Sequence, residues 1–88
     1  MELELREPRD LAVDVHGRIL VADKDSNRVI VLDQYLMEGR ELLLPIVDGG
    51  LQGPCSLCLD EELDRCYVGE WGGGRVLVFD HISNVRVR

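Results

Sequence analysis

The sequence predicts an all-β chain of two four-stranded antiparallel units set side by side as propeller blades, residues 1–48 and 49–88. Three observations carry that prediction. The chain repeats itself: residues 8–14, PRDLAVD, are answered by 54–60, PCSLCLD, and residues 28–33, RVIVLD, by 75–80, RVLVFD. The offset is 46 positions at the prolines and 47 at the arginines, inside the window of solenoids and propellers. Short apolar runs alternate with turn residues, and no stretch has helical periodicity. The runs at 11–13, 29–32 and 76–79 are continuously apolar, as strands covered on both faces are.

In the first unit, residues 10–14 form a short strand and His16-Gly17-Arg18 the turn after it, with a glycine free to take a positive φ. Residues 19–23 and 28–32 pair as a hairpin across Lys24-Asp25-Ser26-Asn27, a four-residue loop of turn-forming residues. A wider loop at 34–39 leads to a fourth strand at 41–47, which tolerates Pro45 best at a sheet edge. The glycine-rich stretch 48–54 is the junction between units. In the second unit the strands fall at 56–60, 66–70 and 75–79, with turns at 61–65 and Gly72-Gly73-Gly74. Residues 84–88 and 2–5 both alternate as strands do, and Met1 to Leu5 is a candidate outer strand for a neighbouring blade.

A blade cannot cover its own faces. Two of them bury one interface and leave two apolar faces open, so the chain needs further blades or further copies of itself.

Composition narrows the function. A formal charge of −7, with Lys24 the single lysine and the arginines scattered, disfavours RNA or DNA as the partner. No apolar run approaches the roughly 20 residues that span a bilayer, and the first residues lack the basic and apolar regions of a secretion signal. A cytoplasmic protein with a protein partner is the expectation.

Cys55, Cys58 and Cys66 include a Cys-x-x-Cys, but a structural zinc site needs four ligands and a second pair is missing. The repeat puts Cys58 where Ala12 stands and Cys66 where Ile19 stands, so all three read as small apolar strand residues. The carboxylates recur: Asp14 with Asp60, Asp23 with Glu70, Asp33 with Asp80. Clustered carboxylates can hold a calcium ion or line a ligand mouth. A role that recurs with the scaffold belongs to the scaffold, and these read as strand-end turn formers bonding nearby backbone N–H groups.

Arg28 and Arg75 follow the two hairpin turns and are expected to pair with Asp23 and Glu70 as exposed rim interactions worth ~0 to 1 kcal/mol. Trp71 stands where the first unit has Lys24, beside three glycines, and is either a partner's anchor or the cap of an adjacent blade. Trp71, Arg28, Arg75 and Lys24 are thus the candidate partner-binding residues. His16 and His81 have no nucleophile at motif spacing, and the glycine run lacks the residues of a phosphate loop. No catalytic residue, metal or cofactor is expected.

Pro8, Leu11-Ala12-Val13-Asp14, Gly17, Leu20-Val21-Ala22-Asp23, Asn27-Arg28-Val29 and Val31 together resemble the NHL repeat. The second unit keeps Pro54, Leu57, Leu59-Asp60, Tyr67-Val68, Arg75-Val76 and Val78-Phe79, with Glu70 in place of the Asp and Gly74 in place of the Asn. Its run from Tyr67 to Val76 resembles the late repeats of animal tripartite-motif proteins. The resemblance implies a six-bladed propeller, of which this chain supplies two blades, or three copies of it a closed ring. In that family the propeller recognises a substrate protein or an RNA, while a RING domain absent here carries ubiquitin ligation. The implied function is non-catalytic substrate recognition. The alternatives are an RNA-binding propeller segment and a piece of a calcium-dependent propeller hydrolase or lyase.

Overall fold

The computed structural model describes residues 4–32, 39–41 and 50–82. It is all-β, with two antiparallel sheets consistent with propeller blades. The first contains β1 (Pro8–Val13), β2 (Ile19–Asp23), β3 (Arg28–Leu32) and a short β4 (Gly39–Glu41), in that order. The second contains β5 (Pro54–Asp60), β6 (Arg65–Glu70) and β7 (Val76–Asp80).

A fourth strand begins at Gly39, two residues before the expected 41, and includes Glu41; the rest of the expected 41–47 lies outside the described residues, as do Asp33 and the tail strand at 84–88. Of the N-terminal strand expected at 2–5, Glu4 and Leu5 are described and belong to no strand.

Both units are punctuated in the same way. β1 and β5 begin at a proline, and the register shifts between Pro8 and Asp10 and again between Pro54 and Ser56. A proline has no N–H for the ladder, so it sits at a strand start where a bulge relieves the pairing. The turn after β2 is a 3-10 turn, Lys24–Ser26, closed by Asn27 at φ 53°; the turn after β6 is closed by Gly74 at φ 62°. Asn and Gly are the residues that enter this left-handed region most readily, which is why one can stand for the other.

The sheets pack face to face. Leu20, Val29 and Val31 of the first meet Cys66, Val68 and Phe79 of the second, and Ile82 closes the cluster. Leu57, Leu59 and Leu77 pack against it half-buried. Each apolar side chain fully buried here contributes roughly 1.5–3 kcal/mol.

The two sheets are not equally covered. β2 and β3 are buried on both faces, whereas β6 and β7 alternate buried and open positions, with Val76 67% and Val78 50% exposed. On β1, Leu11 and Val13 are each 64% exposed. The continuous apolar runs at 11–13 and 76–79 thus have one bare side, contrary to the two-sided burial that their composition suggests.

Candidate interaction rim

The strand ends bring the candidate residues to one end of the paired sheets. Asp23 and Glu70 end β2 and β6, Lys24 and Trp71 follow them, and Arg28 and Arg75 stand at the return into β3 and β7. The Lys24 ammonium lies 5.7 Å from the centroid of the Trp71 ring, so the turn of one sheet reaches over that of the other.

The carboxylates do more than expected of them. Asp23, with no exposed surface, accepts the backbone N–H groups of Glu7 at 2.7 Å and Arg6 at 3.1 Å. Glu70 accepts the N–H of Gln52 at 2.6 Å, and its Oε1 accepts Arg75 Nε at 2.7 Å. Arg28 Nε stands 3.6 Å from Asp23 Oδ2. In both units a strand-end carboxylate thus reaches across to the chain entering the first strand and fastens it. The ion pairs join the expected partners, and in each the carboxylate is buried while the guanidinium is about a third exposed, so they are intermediate between an exposed rim pair and a fully buried one.

The environment holds both groups ionised. Burial pushes the Asp23 carboxyl up, but the N–H of Glu7, the Ser26 hydroxyl, the N–H of Arg6 and the Arg28 charge outweigh it and hold it below its ordinary range. For Glu70 the Arg75 hydrogen bond dominates, and burial opposes it without cancelling it. Arg75 also donates to the Gly50 carbonyl at 3.2 Å.

Lys24 is tied down as well. Its ammonium lies 3.3 Å from Glu7 Oε2 and 3.6 Å from Asp25 Oδ1, and Glu7 in turn holds Arg9 at 3.0 Å. What projects from this network is Trp71. The residue is 70% exposed, while its backbone is fixed by Trp71 N donating to the Gly53 carbonyl at 2.7 Å and Gly72 N to the Gln52 carbonyl at 3.0 Å. Gly53 has φ +67°, a conformation that favours glycine, while a Cβ built there would make only ordinary van der Waals contact with Trp71 Cβ.

At the opposite end, a groove of about 260 Å³ is lined by Asp14, His16, Arg18, Asp60, Glu61 and Arg65, among others. Asp14 Oδ1 accepts the N–H of His16 at 2.9 Å and of Arg18 at 2.8 Å, and Asp14 also pairs with the Arg18 side chain. Asp60 accepts the N–H of Leu63 at 3.1 Å, and Asp80 pairs with Arg65 at 2.7 Å. Turn-forming bonds account for Asp14 and Asp60. Among the described residues no three His, Cys, Asp or Glu side chains are grouped to hold a metal ion.

The cysteines divide. Cys66 is fully buried, and burial, with a smaller push from Cys58, raises its thiol to about 11. Cys55 is half-buried, with Sγ 3.5 Å from the Gly69 carbonyl, and Cys58 is exposed on the bare face of the second sheet. Core packing fits Cys66 but not Cys58, because the pleat turns position 58 away from the other sheet.

Sequence reasoning missed the side chains that link the sheets. Asp10 Oδ2 accepts Leu57 N–H at 2.7 Å, Asn27 Oδ1 accepts Gly53 N–H at 2.8 Å, and Glu61 Oε1 accepts Val15 N–H at 3.1 Å. The one sequence signal was a carboxylate at position 10, next to an apolar run.

Comparison with known proteins agrees with this arrangement in its first unit. No curated protein matches the chain. Residues 5–32 match the NHL repeat, which spans β1 to β3 with both turns and includes Asp23, Asn27 and Arg28, and which suggests a propeller-type protein-interaction module.

Proposed function

We propose that this chain is a non-catalytic protein-recognition module whose contact point is the rim around Trp71. The observation that supports it is an indole 70% exposed on a backbone anchored at both Trp71 N and Gly72 N, with Lys24 against the ring. An aromatic held in place before binding loses little freedom when a partner covers it, and such residues dominate interface energetics. Lys24, Arg28 and Arg75 are already engaged with carboxylates, so their part is to fix the rim and set its polarity.

In the finer reading the partner is the substrate of a ubiquitin ligase of tripartite-motif type. Its support is the resemblance of the run from Tyr67 to Val76 to the late repeats of that family. RNA is disfavoured by the charge of −7.

The test is selection of a random peptide library displayed on phage against the chain, followed by titration of the selected peptides. Trp71→Ala should weaken them at least about tenfold, the loss expected of an interface anchor, while leaving the urea midpoint unchanged. Peptides that bind the variant equally well would remove Trp71 from the interface.

A further inference from the structure

The repeat makes the bare face of the second sheet the counterpart of a face that is already covered. Applying the offset of 46 to 47 residues, Ala12, Leu20, Val29 and Val31 of the first sheet correspond to Cys58, Tyr67, Val76 and Val78. The first set is turned toward the second sheet, with Leu20, Val29 and Val31 in the core. The second set lies on the far side of β5 to β7, where Cys58, Val76 and Val78 are exposed. The first set is covered by β5, whose Leu57 and Leu59 pack against the cluster that contains it. Their counterparts are Leu11 and Val13 of β1, each 64% exposed.

The chain therefore presents both halves of one interface, one on each outer side. We propose that a second copy of this chain docks head to tail, with Leu11 and Val13 of its β1 seated on the Cys58, Tyr67, Val76 and Val78 face of the first. Val21 and Ile30, which pair beside Leu11 in the sheet and share its face, are already buried, so the surface offered is β1 itself, the counterpart of β5 within the chain.

The same equivalence sets the strength of the contact. Within the chain, the sheets are also linked by Asp10 to Leu57 N and Asn27 to Gly53 N. The positions equivalent to Asp10 and Asn27 are Ser56, a shorter and uncharged acceptor, and Gly74, which has no side chain to accept a bond. The docking between copies is accordingly apolar and weaker than the internal one. Since each copy carries −7, added salt strengthens it by screening the repulsion.

The contact is heterologous, and that makes it separable. Val78→Arg blocks one side and Leu11→Arg the other, both at exposed positions where the fold tolerates the change. By sedimentation velocity up to millimolar concentration, the unmodified chain should associate, more so at high salt. Each variant alone should remain a monomer, and an equimolar mixture should form a one-to-one heterodimer through the two intact sides. If either variant loses its near-ultraviolet circular dichroism, Val76→Arg and Val13→Arg replace the pair.

Three results would overturn the proposal: an unmodified chain that stays monomeric, a mixture that stays monomeric, or Leu11→Arg dimerising by itself through two like faces. None of these bears on Trp71, which lies at the strand ends and outside the contact.

Discussion

Asp10 and Leu57 join the two sheets: a carboxylate oxygen on β1 accepts the backbone N–H of β5 at 2.7 Å, across a separation of 47 residues. The other oxygen accepts the N–H of Leu11 at 2.9 Å, which fixes the rotamer that makes the crossing. Asp10→Ala leaves Leu57 N–H without this acceptor and should cost about 1–2 kcal/mol. Asp10→Asn keeps an acceptor and should lose less. Urea unfolding of the two variants measures the difference, and equal losses would point to charge rather than the hydrogen bond.

Acid should unfold the protein through Asp23 and Glu70. Both are held below their ordinary values of 3.8 and 4.5, so the unfolded chain takes up protons at a pH where the folded chain does not. Their contribution is complete above about pH 5 and is lost as pH falls through the lowered folded values. The urea midpoint should decline steadily below that point. In Glu70→Gln the decline should be shallower, and an unchanged slope would assign the acid sensitivity to other groups.

The three thiols should react in sequence. Cys58 is exposed and should be modified first by a chromogenic disulfide reagent, Cys55 later, and Cys66 only as the protein unfolds. At alkaline pH the sign is the reverse of the carboxylates. With the folded Cys66 thiol at about 11 against an ordinary value of 9.0, ionisation favours the unfolded chain, and stability falls as pH rises between those values. Rapid reaction of all three thiols in the folded protein would contradict the burial of Cys66.

Gly74 at φ 62° should tolerate asparagine better than alanine. Nothing lies within 4 Å of a Cβ built there, so the cost is in the backbone alone. Gly74→Ala should destabilise by about 1–2 kcal/mol. Gly74→Asn should cost less than half of that, as Asn27 occupies the same conformation in the first unit. Thermal melts of the two variants are sufficient to rank them.

How far the sequence could be read follows from the range of each interaction. β2 and β3 lie on the expected residues, Ile19–Asp23 and Arg28–Leu32, because a run of four apolar residues with a charged residue at the turn end carries its own boundaries. β1 and β5 start two residues before the expected 10 and 56, because the bulge that admits Pro8 and Pro54 is a property of pairing with β2 and β6. The strand expected at 41–47 meets the observed β4 at Glu41, while Gly39 and Arg40 pair with β3 ahead of it, a register that depends on β3 and not on composition. For the rim, the identity of the ion pairs was legible from the repeat. Their burial was not, since it depends on Arg6, Glu7 and Gln52, backbone donors that leave no mark on side-chain pattern. The links made by Asp10, Asn27 and Glu61 exist only once the two sheets are face to face.

The Asp23 and Glu70 clamps span 16 to 18 residues, whereas the Asp10 crossing spans 47. Short loops close early and at low entropic cost, so each clamp can form inside its own unit before the sheets meet. Removing a clamp should then slow refolding, while removing the crossing should mainly speed unfolding. A stretch of chain that has left the ribosome as far as Arg28 already holds every group its clamp requires, and the first sheet can be secured while the second is still being made.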